Sequence, residues 1–180
     1  MMRAAVAETA EAETEEAEFC RLVSARLDGA YQLAGYILGS ASEAQDATQD
    51  AIARAWQGFG ALRDRQAFDQ WFRRILVNGC RDRLRRRRRV RFVPLEEQPD
   101  DLEAADPFQS SLALDELGRA LDVLGPEERT VVVLHYWNDL STAEIGALLG
   151  IAQGTVKYRL HSAYGALRRR LEEASRERPR

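Results

Sequence analysis

Two sets of polar residues in the 180-residue chain have the spacing of a site. In "SEAQDATQDAIARAW" a helical period puts Glu43, Asp46, Asp50, Arg54 and Gln57 on one face, with Gln49 at its margin. Asp46 and Asp50 are paired carboxylates, the one arrangement here from which general acid–base chemistry could be assembled. No histidine, glycine-rich phosphate loop or metal-ligating cluster accompanies them, so neither an enzyme activity nor a cofactor is expected. Read only as structure, this is a solvated face whose Asp50–Arg54 pair contributes about a few tenths of a kcal/mol. The second set lies in "GTVKYRLHSAYGALRRR". There Val156, Leu160, Ala163 and Leu167 share one side of a helix, while Gly154, Tyr158, His161 and Gly165 share the other. Thr155, Lys157 and Ser162 flank the second side, which offers a small-residue entry point, hydrogen-bonding groups, one ring and one cation. That chemistry is recognition of a polar, negatively charged surface.

The elements that must position this face begin at Ser141. Ser141 and Glu144 have capping-box spacing, Ile145, Leu148 and Leu149 follow on one face, and Gly150 supplies a helix stop. Ile151 plugs the turn, and Val156 is placed to pack back on Ile145 and Leu149. The pattern is a helix-turn-helix, whose second helix enters the DNA major groove; a plain helical hairpin is the alternative. Ala152 stands where a Ser or Thr cap is expected.

Hydrophobic residues make up 45% of the chain, enough for folded cores, and no apolar run approaches a membrane span. No basic-then-apolar secretion signal opens the chain, so a cytoplasmic location is expected. Cys20 and Cys80 lack metal-ligand spacing and read as buried free thiols. The net charge of −3 conceals an acidic start, a basic middle at "RDRLRRRRRVR" and a second acidic stretch after it. Lys157, the chain's only lysine, lies in the proposed recognition helix.

The organisation expected is all-α: two small helical domains joined by a flexible acidic linker, the second containing the helix-turn-helix. Residues 1–18, with six glutamates, read as a disordered acidic N-terminus. The first domain, 19–92, holds a helix from Phe19 to Leu38 and another from about Glu43 to Phe59 with Thr48, Ile52, Ala55, Trp56 and Phe59 as its core face. A long helix follows, with Phe68, Trp71, Phe72, Ile75 and Leu76 at i, i+3, i+4, i+7 and i+8. Arg73, Arg74, Arg81 and Arg83 line that helix ahead of the run 85–89, favouring a phosphate-tracking surface over a merely solvated helix end. The linker, 93–110, has three of the five prolines and six carboxylates. The second domain, 111–174, opens with Leu114, Leu117, Leu121 and Leu124 on one face, breaks at Gly125-Pro126 and leads into the helix-turn-helix. Residues 175–180 form a tail.

From about Phe19 to Leu171 these residues resemble a short sigma factor of bacterial RNA polymerase, of the extracytoplasmic-function group. The resemblance rests on "SEAQDATQDAIARAW" with "AFDQWFRRILVNGCRDRLRRR", and on "LGPEERTVVVLHYWNDLSTAEIGALLGIAQGTVKYRLHSAYGALRRRL". It implies a protein that is not an enzyme by itself. Such a protein binds the polymerase core, recognises promoter DNA and helps to open the duplex. It implies core-polymerase binding by Asp46, Gln49 and Asp50. The loop from Leu62 to Ala67, with Leu62, Arg63 and Arg65, would hold a flipped minus-10 base in a pocket also lined by Asn78, while Arg74, Arg81 and Arg85 track nearby phosphates. Arg65 and Gln66 depart from the small and acidic residues expected there.

In the second domain the resemblance implies minus-35 reading by Gly154, Thr155, Lys157, Tyr158, His161 and Ser162. Tyr158 and Ser162 depart from the pattern, so phosphate attraction is reduced and the preferred sequence is unusual. His135 is structural. The linker would thread the channel later used by RNA. An anti-sigma factor controlling a stress or envelope regulon is the expected regulator. The competing function is a free-standing helix-turn-helix regulator that binds operators as a dimer, which leaves the first domain's acidic face and arginine stripe unexplained.

Overall fold

The computed structural model describes residues 14–90, 118 and 120–177, and every regular element among them is helical. In the first domain α1 spans residues 14–24, α2 Leu27–Leu38, α3 Ala41–Phe59 and α4 Phe68–Val90, with a 3-10 turn at Arg65–Ala67 ahead of α4. In the second, α5 spans Pro126–Tyr136, α6 Thr142–Leu149 and α7 Gln153–Glu177. The linker expected at 93–110, most of the N-terminal segment, and Leu114 and Leu117 lie outside the described residues.

Two boundaries differ from the sequence reading. Helix begins at residue 14 rather than Phe19, inside the acidic stretch, because two of its glutamates have a partner: Glu15 and Glu18 pair with Arg65 at 3.1 and 3.3 Å. The guanidinium of Arg65 lies 3.7 Å over the Phe59 ring, which fixes α1 to the end of α3. The segment from Phe19 to Leu38 is two helices, α1 and α2, broken at Ala25 and Arg26, where the Arg26 amide bonds back to Val23. Arg26 then reaches across to Asp69 at the start of α4, 2.7 Å from Nε to Oδ1.

The core face of α3 is rotated from the one expected. Ala44, Ala47, Thr48, Ala51, Ala55 and Phe59 are buried, Ile52 is half-buried, and Trp56 is 46% exposed with its ring tilted against Phe19 at 5.1 Å. An alanine seam allows α2 and α3 to approach closely, and packing density rather than side-chain size decides which face goes inside. The aromatic stripe of α4 behaves as expected: Phe68, Phe72 and Leu76 are buried and Phe68 meets Phe19, Phe59 and Phe72. Cys80 is buried in this core and burial pushes its thiol up to about 12, whereas Cys20, expected to be buried, is exposed.

The two domains are packed on each other, α2 against α5. Tyr36 of α2 is buried, with its ring edge-on to Trp137 at 4.7 Å.

Candidate nucleic-acid interface

The helix-turn-helix is assembled as its caps dictate. The Ser141 hydroxyl accepts from the Glu144 amide at 3.2 Å while Glu144 accepts from the Ser141 amide at 2.8 Å, satisfying two donors that the helix start leaves open. Those hydrogen bonds hold the Glu144 carboxyl below its ordinary range. Gly150 takes a left-handed φ of 65° and ends α6. Gly146 explains the tightness of the turn: a Cβ there would lie 2.9 Å from the Ile151 carbonyl oxygen, so only glycine lets the chain close back on α6. Ile145, Leu149, Val156, Leu160 and Ala163 are buried together beneath it. The Nδ1 of His135 donates to the Leu140 carbonyl at 2.7 Å, a structural role.

This packing leaves one face of α7 outside. Gly154, Thr155, Lys157, Tyr158 and His161 are exposed, Tyr158 by 73%, and nothing stands within 4 Å of where a Gly154 side chain would begin. Ser162 departs from the expected set. It is half-buried and its hydroxyl donates to Glu128 of α5 at 2.5 Å, while the other oxygen of Glu128 accepts from the Gly125 amide at 3.0 Å. Glu128 therefore ties α7 to the start of α5, with an Arg159–Glu127 ion pair beside it, and Ser162 is turned from reading to packing.

In the first domain the arginines of α4 divide. Arg83 pairs with Asp50 and lies 4.0 Å from Asp46, Arg87 pairs with Glu43, and Arg85 stands 3.7 Å from Asp82. The expected Asp50–Arg54 pair is thus replaced by a bridge from α3 to α4. Asp46 and Asp50 still keep 66% and 58% of their side-chain surface exposed, and Gln49 is exposed beside them. Arg74 and Arg81 instead reach the second domain: Arg74 donates to the Ala147 carbonyl at 3.1 Å and Arg81 to that of Leu149 at 2.8 Å. Burial in that seam, and then the charge of Arg85, lower the Arg81 guanidinium below its ordinary value.

The loop expected to hold a flipped base is only partly available. Leu62 is half-buried and Arg63 exposed, and the Asp64 carboxylate caps the 3-10 turn through the Gln66 amide at 2.9 Å. Arg65 is drawn inward: besides its ring contact and glutamates it donates to the carbonyls of Phe59 and Leu62. Asn78 is exposed on α4, ten residues after the helix starts at Phe68.

Residues 22–90 match the model of the family described as sigma-70 region 2, and residues 114–167 that of sigma-70, region 4. The chain is 36% identical over 162 residues to the RNA polymerase sigma-E factor of Streptomyces antibioticus, covering 89% of this chain and 88% of that one. It belongs to the extracytoplasmic-function group of RNA polymerase sigma factors. The ECF RNA polymerase sigma factor SigW of Bacillus subtilis is 30% identical over 86% of the chain and 89% of its own length. The same fold occurs in the sigma factor RpoE of Bartonella quintana, solved in complex with the anti-sigma factor NepR, with a TM-score of 0.64, 23% identity, and coverage of 86% of this chain and 96% of that one. These sigma-factor relatives span both domains, which sets aside the free-standing helix-turn-helix regulator. Among the described residues no helix of this sigma factor is long and apolar enough to cross a membrane.

Sequence reasoning missed two residues that shape the helix-turn-helix, Glu128 and Gly146. Gly146 carried a signal, a second glycine four residues before the helix stop. The bond from Ser162 to Glu128 joins elements far apart in the chain and had none.

Proposed function

We propose that this sigma factor engages the polymerase core through Asp46, Gln49 and Asp50. In the same assembly the exposed face of α7, Gly154, Thr155, Lys157, Tyr158 and His161, reads the minus-35 element, and Arg74, Arg81 and Arg85 track phosphates near the minus-10 element. The observation that carries the reading is the division of α7: Val156, Leu160 and Ala163 are buried while the intervening polar set is exposed. That set has no aliphatic residue to hide and the geometry of a major-groove reader. Gly154 lets the helix start come close to backbone phosphate, where its amides and positive dipole end attract negative charge. Leu62, Arg63 and Asn78 remain the candidate contacts for a flipped base. Ser162 and Arg65 support this surface from within. A chain of this fold solved with an anti-sigma protein, the RpoE–NepR pair, supports an anti-sigma regulator here too.

Reversing Asp46 and Asp50 to lysine tests the docking face. Both side chains are more than half exposed, so helix content should stay intact. Capture by core polymerase should be abolished, and unchanged core affinity would overturn the assignment.

A further inference from the structure

We propose that the cleft between the C-terminal half of α4 and the start of α5 is a binding site for a small polyphosphate, a chain of two or three linked phosphates either free or carried on a nucleoside. Four guanidiniums line it, those of Arg81, Arg85 and Arg88 from α4 and of Arg159 from α7. On α4 they stand at i, i+4 and i+7, so they form a stripe about 10 Å long on one helix face rather than a single point of charge. Two carboxylates offset the four. Glu127 pairs with Arg159, and Asp82 stands 3.7 Å from Arg85, so among the described residues Arg81 and Arg88 have no ion-pair partner. The excess charge is felt in the cleft: burial, and after it the charges of Arg85 and Arg159, lower the Arg81 guanidinium below its ordinary value, with Glu127 acting against them.

The surroundings strengthen the site. α5 begins at the cleft with Pro126, and the positive end of its dipole adds to the field of the arginines. Leu84 and Leu149 supply an apolar wall, beside which charge-assisted hydrogen bonds are stronger than in open water, and about 390 Å³ of space lies open between the elements. Guanidinium forks match phosphate oxygens two at a time, so a stripe of them favours linked phosphates over one. The site shares Arg81 and Arg85 with the minus-10 phosphate reading but does not rest on it, because Arg88 and Arg159 lie outside that set and Arg159 belongs to the other domain.

The test is isothermal titration calorimetry of the full chain with sodium phosphate, pyrophosphate and tripolyphosphate, in metal-free buffer at one ionic strength. Affinity should climb along that series, with one polyphosphate bound per chain. Arg88→Gln and Arg159→Gln should each weaken tripolyphosphate about tenfold or more, the range for a lost hydrogen bond to a charged group. Glu127→Gln removes the opposing carboxylate and frees Arg159, so it should tighten binding several-fold, a gain that damage to the fold does not produce. Arg86→Gln, on the face of α4 beside α3, should leave the affinity unchanged. A titration with GTP separates the two sources: tighter binding than tripolyphosphate assigns the site to a nucleotide whose base rests on the Leu84 wall, and weaker binding assigns it to the free polyphosphate. Inorganic phosphate binding as tightly as tripolyphosphate, several polyphosphates per chain, equal losses in Arg86→Gln and Arg88→Gln, or a Glu127→Gln chain that binds no better would mean a diffuse basic run and overturn the proposal.

Discussion

At the scale of single residues, recognition and support are carried by neighbours on the same helix. Tyr158 and His161 are exposed on α7, so Tyr158→Ala or His161→Ala should leave the fold unchanged. Each should cost about 1–3 kcal/mol at the preferred minus-35 sequence and less at sequences altered in the contacted bases. Lys157→Ala should weaken all sequences by a similar factor, because a flexible ammonium at the helix edge suits phosphate better than bidentate base reading. Affinities over a panel of minus-35 substitutions at fixed salt check both, and uniform loss in all three variants would mean readout through DNA shape. The cysteines offer a second contrast. With burial holding the Cys80 thiol up at about 12, almost none of it is thiolate at pH 8, and it should react with a thiol reagent only as the protein unfolds. Cys20, exposed on α1, should react at once. Titration with a chromogenic disulfide in native buffer and in denaturant reads both groups.

At the scale of elements, the local signals were the legible ones. The capping box at Ser141 and Glu144 and the stop at Gly150 involve neighbours in sequence, and each stands where the spacing put it. Ser141→Ala should cost about 1 kcal/mol and lower the melting temperature without changing the fold. The Glu144 carboxyl is held down in the folded state, so its stabilisation is present at neutral pH and is lost as pH falls through that lowered value. A Glu144→Gln variant should accordingly show a shallower loss of stability in acid than the wild type. The packing face of α3 was misread because large side chains dominate a periodicity count, whereas the helix is buried through Ala44, Ala47, Ala51 and Ala55. Ala44→Leu should therefore overpack the seam with α2, where the Ala44 Cβ lies 3.8 Å from where a side chain at Gly35 would begin, and cost about 1–3 kcal/mol, measurable by urea unfolding. Trp56, half exposed on the same helix, should tolerate truncation far better.

At the scale of the whole molecule, the two helical domains and their order were legible from two motif blocks and an acidic stretch between them. Their mutual packing was not. The seam is made by arginines donating to carbonyls at helix ends, and a backbone carbonyl leaves no mark in sequence; Arg129 looks like any other residue of "EERTVVVL" until its donors are followed to Tyr36 and Asp122. The same holds for the acidic face of α3. Its residues were identified, but the Arg83 bridge that steadies Asp46 and Asp50 comes from another helix. The measurement that bears most directly on the account is transcription from a library of randomised promoters by reconstituted core polymerase with and without the purified chain. The account predicts initiation that depends on the chain, from sequences sharing one upstream and one downstream motif, with Tyr158→Ala and His161→Ala changing the upstream motif alone. Initiation that does not depend on the chain, or an upstream motif that neither variant alters, would contradict it.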